Sequence, residues 1–214
     1  KEIRDTTVAY DDGRLFFVEK RALPAEVLRQ SPVQPESEAR TDRRGQPIVN
    51  EPYLRTVTAV DAESGKVVWE QSVDLSQCGR WDKGTWGLLH AMCKDDVLVL
   101  AGAYTIYGRR TDKTPRRAMA LSTKDGVPLW TSVVENRSRP ILLSQALLAE
   151  PAFFDLKTGK ELLKTQGNRQ RPWMMLPRSG GCGTLSASES MVFGRGGYTI
   201  WRNIDGGPSG SFVG

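Results

Sequence analysis

A short phrase that recurs along the chain constrains the fold more than any other feature of this sequence. It begins with apolar residues, continues through a polar turn that contains glycine, and ends near a tryptophan. Copies stand at 59–70 (AVDAESGKVVWE), 120–131 (ALSTKDGVPLWT) and 153–164 (FFDLKTGKELLK), with a degraded copy at 199–207 (TIWRNIDGG). The aligned positions of the three clear copies are Asp61, Gly65 and Trp69; Ser122, Gly126 and Trp130; and Asp155, Gly159 and Leu163. A phrase that repeats in this way predicts a recurring structural unit rather than a catalytic motif.

Each copy has the composition of two strands joined by a tight turn. In the first copy, the β-branched residues on both sides of the turn favour a pleated, half-buried surface. Asp61 can accept hydrogen bonds from turn amides, and Gly65 supplies the positive φ that a tight hairpin needs. Trp69 offers a large apolar face and one N–H donor, which suits docking between neighbouring sheets. In the third copy, Leu163 is expected to fill the place of the tryptophan.

Another pair of strand-like runs precedes each of the first two copies, with turns at Asp12-Gly13 and near Asp95. Each unit therefore has about four short strands, and several such units in series are typical of a β-propeller. The sequence predicts an all-β fold, a partial propeller of about four four-stranded blades at approximately 5–75, 86–135, 138–166 and 172–207. The polar stretch 29–53 is predicted to be an insertion within the first blade.

The repeated pattern, apolar-x-Asp-x-x-(Ser/Thr)-Gly-Lys-x-x-Trp, resembles the repeat of the pyrroloquinoline-quinone (PQQ)-like, or quinoprotein-type, β-propellers. The run at 171–197 (RPWMMLPRSGGCGTLSASESMVFGRGG) is also similar to a stretch of large PQQ-binding-like repeat proteins of planctomycete-type bacteria. The resemblance implies four-stranded blades around a central axis, with further blades outside the sequence given. It also implies a periplasmic or extracellular location rather than a cytoplasmic one.

The resemblance does not by itself imply a cofactor, since many PQQ-like propellers bind no quinone. Quinoprotein dehydrogenases add a carboxylate base, calcium ligands, a stacking tryptophan and often a disulfide between adjacent cysteines, and this chain has no adjacent cysteine pair. The tryptophans available for stacking are Trp81, Trp86, Trp173 and Trp201, and packing in a propeller explains them better. We predict no cofactor, with PQQ and Ca²⁺ as the alternative.

Composition excludes several other classes of site. The three cysteines, Cys78, Cys93 and Cys182, form no CxxC pair, which excludes a zinc ribbon and leaves open one disulfide or three free thiols. The single histidine, His90, lies among apolar residues and is expected in the core. No catalytic residue and no metal ligand can be nominated, and GxSxG, P-loop and dinucleotide-binding patterns are absent from the sequence.

A cluster of basic residues at 107–120 is the one charged feature that suggests a ligand. It consists of Arg109, Arg110, Lys113, Arg116 and Arg117, which are expected at the tip of one hairpin. The cluster is interpreted either as a solvated turn or as a site for an acidic partner or another polyanion. Nucleic acid is disfavoured because no aromatic residues alternate with the charges, and the net charge of +5 is only mildly basic.

The function predicted from the sequence is a non-catalytic β-propeller scaffold or protein-interaction module, which is part of a larger PQQ-like repeat protein. Its partner would be another protein or the remaining blades of its own propeller. The first alternative is a PQQ- and calcium-dependent oxidoreductase acting on alcohols or sugars once the ring is complete. The weaker alternative is a polyanion-binding module.

Overall fold

The computed structural model describes residues 2–20, 54–75, 78, 88–103, 117–134, 136, 139–166, 168–173, 185–195, 199–204 and 209–212. Every regular element in these residues is a β-strand, and all the strand pairs are antiparallel. The predicted insertion at 29–53 lies outside the described residues, as does most of the predicted basic hairpin.

The first two sheets are four-stranded meanders in which each strand pairs with the next one along the chain. Short Asp-containing turns join the first two strands of each sheet, and the turn of the repeat phrase joins the last two. Sheet 1 contains β1 (Glu2–Asp11), β2 (Arg14–Lys20), β3 (Leu54–Asp61) and β4 (Val67–Asp74). Sheet 2 contains β5 (Leu88–Lys94), β6 (Val97–Ala103), β7 (Arg117–Ser122) and β8 (Pro128–Val133).

Sheets 3 and 4 follow the same order, but the outer part of sheet 3 is interrupted by a separate two-stranded hairpin. Sheet 3 contains β9 (Ile141–Leu142), β10 (Ala146–Ala149) and β11 (Ala152–Asp155). The hairpin consists of β12 (Leu163–Gln166) and β13 (Arg169–Pro172). Sheet 4 contains β14 (Ser186–Ala187), β15 (Met191–Arg195), β16 (Thr199–Asn203) and β17 (Ser209–Phe212).

The hydrophobic core lies between successive sheets, because alternate side chains of a strand point to opposite faces of its sheet. One cluster joins sheets 1 and 2, through residues such as Phe16 and Leu100. A second joins sheets 2 and 3, and a third, which includes Leu148 and Val192, joins sheets 3 and 4. Burial of these apolar surfaces is what holds each sheet against the next.

Four-stranded antiparallel sheets that pack face to face in chain order are the blades of a β-propeller. The fold class predicted from the sequence is confirmed: the chain is all-β, and its described residues form a partial propeller. The part of the chain that the structure describes contains no helix with the length and apolar character needed to cross a membrane.

Candidate functional site: tryptophan docks between the sheets

The turn of the repeat phrase is held by hydrogen bonds to its first residue. In sheet 1, the Asp61 carboxylate accepts hydrogen bonds from the Ser64 amide at 2.7 Å and from the Ser64 hydroxyl at 2.6 Å. These bonds stabilise the carboxylate, so the pKa of Asp61 lies below its ordinary value, chiefly because of the Ser64 hydroxyl. Gly65 closes the turn with a φ of +68°, a conformation that strains other residues. In sheet 3, Asp155 accepts the same two bonds from Thr158.

The second copy of the turn exchanges the positions of the acid and the hydroxyl. Ser122 stands where the other copies have aspartate, and Asp125 stands where they have serine or threonine. The Asp125 carboxylate accepts a hydrogen bond from the Val127 amide at 3.2 Å. A hydrogen bond with the Ser122 side chain is the main cause of the lowered pKa of Asp125. The turn therefore needs one carboxylate and one hydroxyl, and either order satisfies it.

The tryptophan of each phrase docks on the turn of the following sheet. The Trp69 indole N–H donates to the carbonyl of Thr123 at 2.9 Å, and the Trp130 indole N–H donates to the carbonyl of Leu156 at 2.9 Å. Each ring lies against the turn glycine, so that a Cβ added at Gly126 would stand 2.6 Å from Trp69 Cε3. The relative solvent exposure of each of these two tryptophans is only 9%. We call the ring and the accepting carbonyl, with the glycine under the ring where the structure describes it, a tryptophan dock.

A third dock joins sheet 3 to sheet 4, and its tryptophan is not at the position expected from the phrase. The Trp173 indole N–H donates to the carbonyl of Ile204 at 3.1 Å, the turn position that Thr123 and Leu156 occupy in their sheets. Leu163, which was expected to fill this place, is 54% exposed, so that prediction is wrong. Trp173 also stacks on Phe153, with ring centroids 4.4 Å apart.

The displacement of this tryptophan follows from a β-bulge. In sheet 1, Ala59 is paired with Trp69 while Val60 is paired with Val67, which leaves Val68 as the extra residue of a bulge. In sheet 3, Leu162 donates to the carbonyl of Phe153, and the Phe153 amide donates to the carbonyl of Trp173.

Leu162 therefore occupies the bulge position, and the hairpin 163–172 is inserted directly after it. The extra residue of a bulge has no partner in the ladder, so an insertion beside it leaves the backbone hydrogen bonds of β11 intact. A search for a tryptophan further along the chain would have found Trp173, but the phrase alone does not indicate where an insertion ends.

Sheet 1 carries the receiving half of a fourth dock. In sheets 2, 3 and 4, the backbone amide of the residue that accepts from the tryptophan donates to a carbonyl in the turn between the first two strands of its own sheet. In sheet 1, the Ala62 amide donates in the same way to the carbonyl of Gly13 at 2.8 Å. No described residue donates to the Ala62 carbonyl. A Cβ added at Gly65 would meet no atom within 4 Å, whereas Gly126 and Gly159 are covered by tryptophan rings.

The face of sheet 1 that surrounds this open dock is also apolar and incompletely covered. Tyr10 is 64% exposed and Val8 is 37% exposed. The half-buried residues beside them are Leu15, Phe17 and Val60. The residues at the corresponding positions of sheet 2 are packed into the core against sheet 1: Ala91, Cys93, Leu98, Leu100 and Leu121. Sheet 1 therefore presents the same kind of receiving face as sheet 2, without a described sheet against it.

A salt bridge and a hydrogen bond link three sheets near the turns that join the first two strands of each sheet. The Glu189 carboxylate of sheet 4 lies 2.6 Å from Lys94 Nζ of sheet 2, and it accepts a hydrogen bond from the Ser144 amide of sheet 3 at 2.8 Å. The bond from Lys94 and the bonds from Ser144 lower the pKa of Glu189 to about 2. The group is exposed, which limits what it adds to stability.

Of the basic cluster predicted at 107–120, only Arg117 falls within the described residues. It begins β7, pairs with Val133 and is half-buried, so it does not lie at a hairpin tip. Arg109, Arg110, Lys113 and Arg116 lie outside the described residues, and the prediction for them stays a prediction.

The remaining candidate residues are structural where the structure describes them. His90 is buried in β5, and Trp201 is half-buried in β16. Cys78 and Cys93 are free thiols, and burial raises the pKa of each to about 12, which makes them poor nucleophiles. Trp81, Trp86 and Cys182 lie outside the described residues. Across the described ranges, no group of three or more His, Cys, Asp or Glu side chains is placed to hold a metal ion.

No protein-family model and no curated protein matches the sequence. Among solved structures, the chain is similar to BamB from Moraxella catarrhalis, with a TM-score of 0.42 and 14% sequence identity. The similar region covers 75% of this chain and 49% of BamB, so the chain spans about half the length of that protein. At this identity and TM-score, no residue role and no activity of BamB is carried over to this chain.

Proposed function

We propose that this chain is a non-catalytic β-propeller scaffold of the PQQ-like repeat type, and that its sheet 1 receives a further blade. The observation that carries the proposal is the open dock at Ala62 and Gly65. The turn glycines of sheets 2 and 3 lie under docked tryptophans, and the turn of sheet 1 is arranged in the same way. The recurrent tryptophans Trp69 and Trp130 serve docking, which supports a structural function.

The further blade must bring its own tryptophan to complete the dock. In the outer strand of sheet 4, Gly210 pairs with Trp201, whereas the counterparts of Trp201 in sheets 1 and 2, Ala59 and Ala120, pair with Trp69 and Trp130. A second copy of sheet 4 would therefore offer no indole to the Ala62 carbonyl. We infer that the partner is a blade outside the described residues, either in the same protein or in another one.

The proposal extends to location and cofactor on the basis of the family resemblance. A periplasmic or extracellular location is typical of quinoprotein-type propellers. The scaffold is proposed to act without a quinone, because the repeat residues that carry the resemblance are engaged in packing.

Titration calorimetry with PQQ and Ca²⁺ tests the absence of a cofactor. We expect no binding heat, because propeller cofactors of this kind lie at the axis where all blades converge, and a partial ring leaves that place open to water. Ca²⁺ added without PQQ is the control for metal binding alone. Saturable PQQ binding with a micromolar Kd would favour the oxidoreductase alternative.

Photo-crosslinking in cells tests the open dock. A photoreactive phenylalanine analogue replaces Glu63 in sheet 1 or, as a matched control, Lys124 in sheet 2. Both residues are exposed and occupy the third position of their turns. The Lys124 variant should crosslink to the β4 strand that carries Trp69, which already occupies that dock.

The Glu63 variant should crosslink to a strand that contains tryptophan and follows the same repeat phrase, as identified by mass spectrometry of the product. A Glu63 variant that yields no crosslink, while the Lys124 variant yields the expected one, would count against a further blade on sheet 1.

A further inference from the structure

The hairpin inserted in sheet 3, residues 163–172, projects from the outer edge of its blade; we call it the arm. Its two strands pair only with each other among the described residues, so each strand has an edge without a described partner, and Pro172 at the end of β13 has no N–H to donate. All four residues of β13 are exposed. An isolated two-stranded hairpin is only marginally stable in water, so the arm depends on its base.

The base of the arm is fixed to sheets 3 and 4. Trp173, which directly follows the arm, donates its backbone amide to the carbonyl of Leu162 at 2.7 Å. Lys164 Nζ donates to the carbonyl of Ile204 at 3.0 Å and lies 4.3 Å from the centroid of the Trp173 ring. The arm is therefore a projecting hairpin with an anchored base, which presents β13 in a defined direction.

The arm carries cations that have no anionic partner in the described structure. Lys164 is directly opposite Arg171 in the register, and like charges in such a pair repel. Lys164 is engaged at the base of the arm, but neither Arg169 nor Arg171 forms an ion pair within the described ranges. The arm itself, residues 163–172, holds Lys164, Arg169 and Arg171 and no acidic residue. An acidic ligand would therefore meet complementary charge on the arm.

We propose that the arm binds an acidic, extended segment of a partner protein by strand addition along β13. Arg169 and Arg171 are two residues apart, so they lie on the same face of the strand, where they match acidic residues at alternate positions of an added strand. The same charges oppose pairing with a second copy of β13, since like charges would then face each other. The inference rests on the scaffold function proposed above and names the chemistry of one partner.

Fluorescence anisotropy with labelled peptides tests the arm on the whole chain. The first probe is a peptide with alternating Glu and Val, and the second has the same composition with its glutamates in one block. The alternating peptide should bind more tightly, because only its glutamates can all face the arginines from one side of a strand.

The double variant Arg169→Glu, Arg171→Glu should weaken this binding about tenfold or more, since two attractions become repulsions. It should also gain affinity for a peptide of alternating Lys and Val, a gain that a misfolded chain would not show. The matched control is Lys157→Glu, Lys160→Glu, which changes the net charge equally but leaves β13 unaltered, and it should bind as the wild type does.

Three results would overturn the proposal. The first is no binding of either peptide by the wild-type chain. The second is equal affinity for the two peptides with equal losses in both double variants, which indicates an unspecific electrostatic surface. The third is heparin binding that depends on Arg169 and Arg171 without any preference between the peptides, which indicates a polyanion site. The dock at Gly65 is on another sheet and is tested with another readout, so either proposal can fail without the other.

Discussion

Replacement of Trp130 by alanine is expected to lower the free energy of unfolding by about 3–5 kcal/mol, the cost of removing a large packed side chain and leaving a cavity. The loss is a large share of the roughly 5–15 kcal/mol that stabilises an ordinary domain. Trp130 is 9% exposed, lies against Gly159, and donates to the carbonyl of Leu156. Thermal or urea unfolding monitored by circular dichroism measures the change.

Two further variants separate packing from hydrogen bonding at this dock. Trp130→Phe keeps most of the ring but leaves the Leu156 carbonyl without its donor, at a cost of about 1–3 kcal/mol. Leu163→Ala removes the side chain that the repeat phrase aligns with the tryptophan, and its effect should stay within about 0.5 kcal/mol because Leu163 is largely exposed. If Trp130→Ala melted at the wild-type temperature, the dock would have no structural role.

Gly126→Ala is expected to destabilise the chain far more than Gly65→Ala, although the two glycines occupy equivalent positions in the turns of sheets 2 and 1. Both have positive φ, so an alanine at either position costs about 1–2 kcal/mol in backbone strain. At Gly126 the new Cβ would also stand 2.6 Å from the Trp69 ring, and such overpacking adds about 1–3 kcal/mol or more. At Gly65 the Cβ would meet open space.

Equilibrium unfolding measures the free energy of unfolding of the two single glycine variants. The same measurement on the double variant that combines Trp69→Ala with Gly126→Ala tests the cause of the difference. Removal of the indole should reduce the cost of Gly126→Ala to that of Gly65→Ala, because the clash then disappears. Equal costs for the two glycines in the wild-type background would show that Trp69 does not press on Gly126. In a longer protein with a blade docked on sheet 1, Gly65→Ala should become as costly as Gly126→Ala.

The turns of the repeat could be predicted from the sequence because their chemistry is local. Asp61 is bonded to Ser64 within the turn, and Gly65 adopts positive φ there, so the pattern of residue types records the geometry directly. The all-β fold followed for the same reason, since β-branched runs and tight turns recur at strand spacing.

The docks could be predicted only in part, because each one accepts through a backbone carbonyl. Thr123, Leu156 and Ile204 share the same role while their side chains differ, since any residue can supply a carbonyl. No residue type therefore marks the receiving half of a dock. The open dock of sheet 1 was missed for this reason: it is recognised from which surfaces are covered, a property of the packed structure.

The bulge in the outer part of sheets 1, 2 and 3 gives this architecture a fixed place for insertions. In sheet 3, residues 163–172 enter at the bulge, and Trp173 still reaches its dock. Sheets 1 and 2 have bulges at the same point, at Val68 and Leu129, both on the exposed rim. An evolving gene can lengthen a blade at these positions without moving the tryptophan or the core. Related chains can therefore differ in the partners that they bind at the rim, while the packing of their blades stays the same.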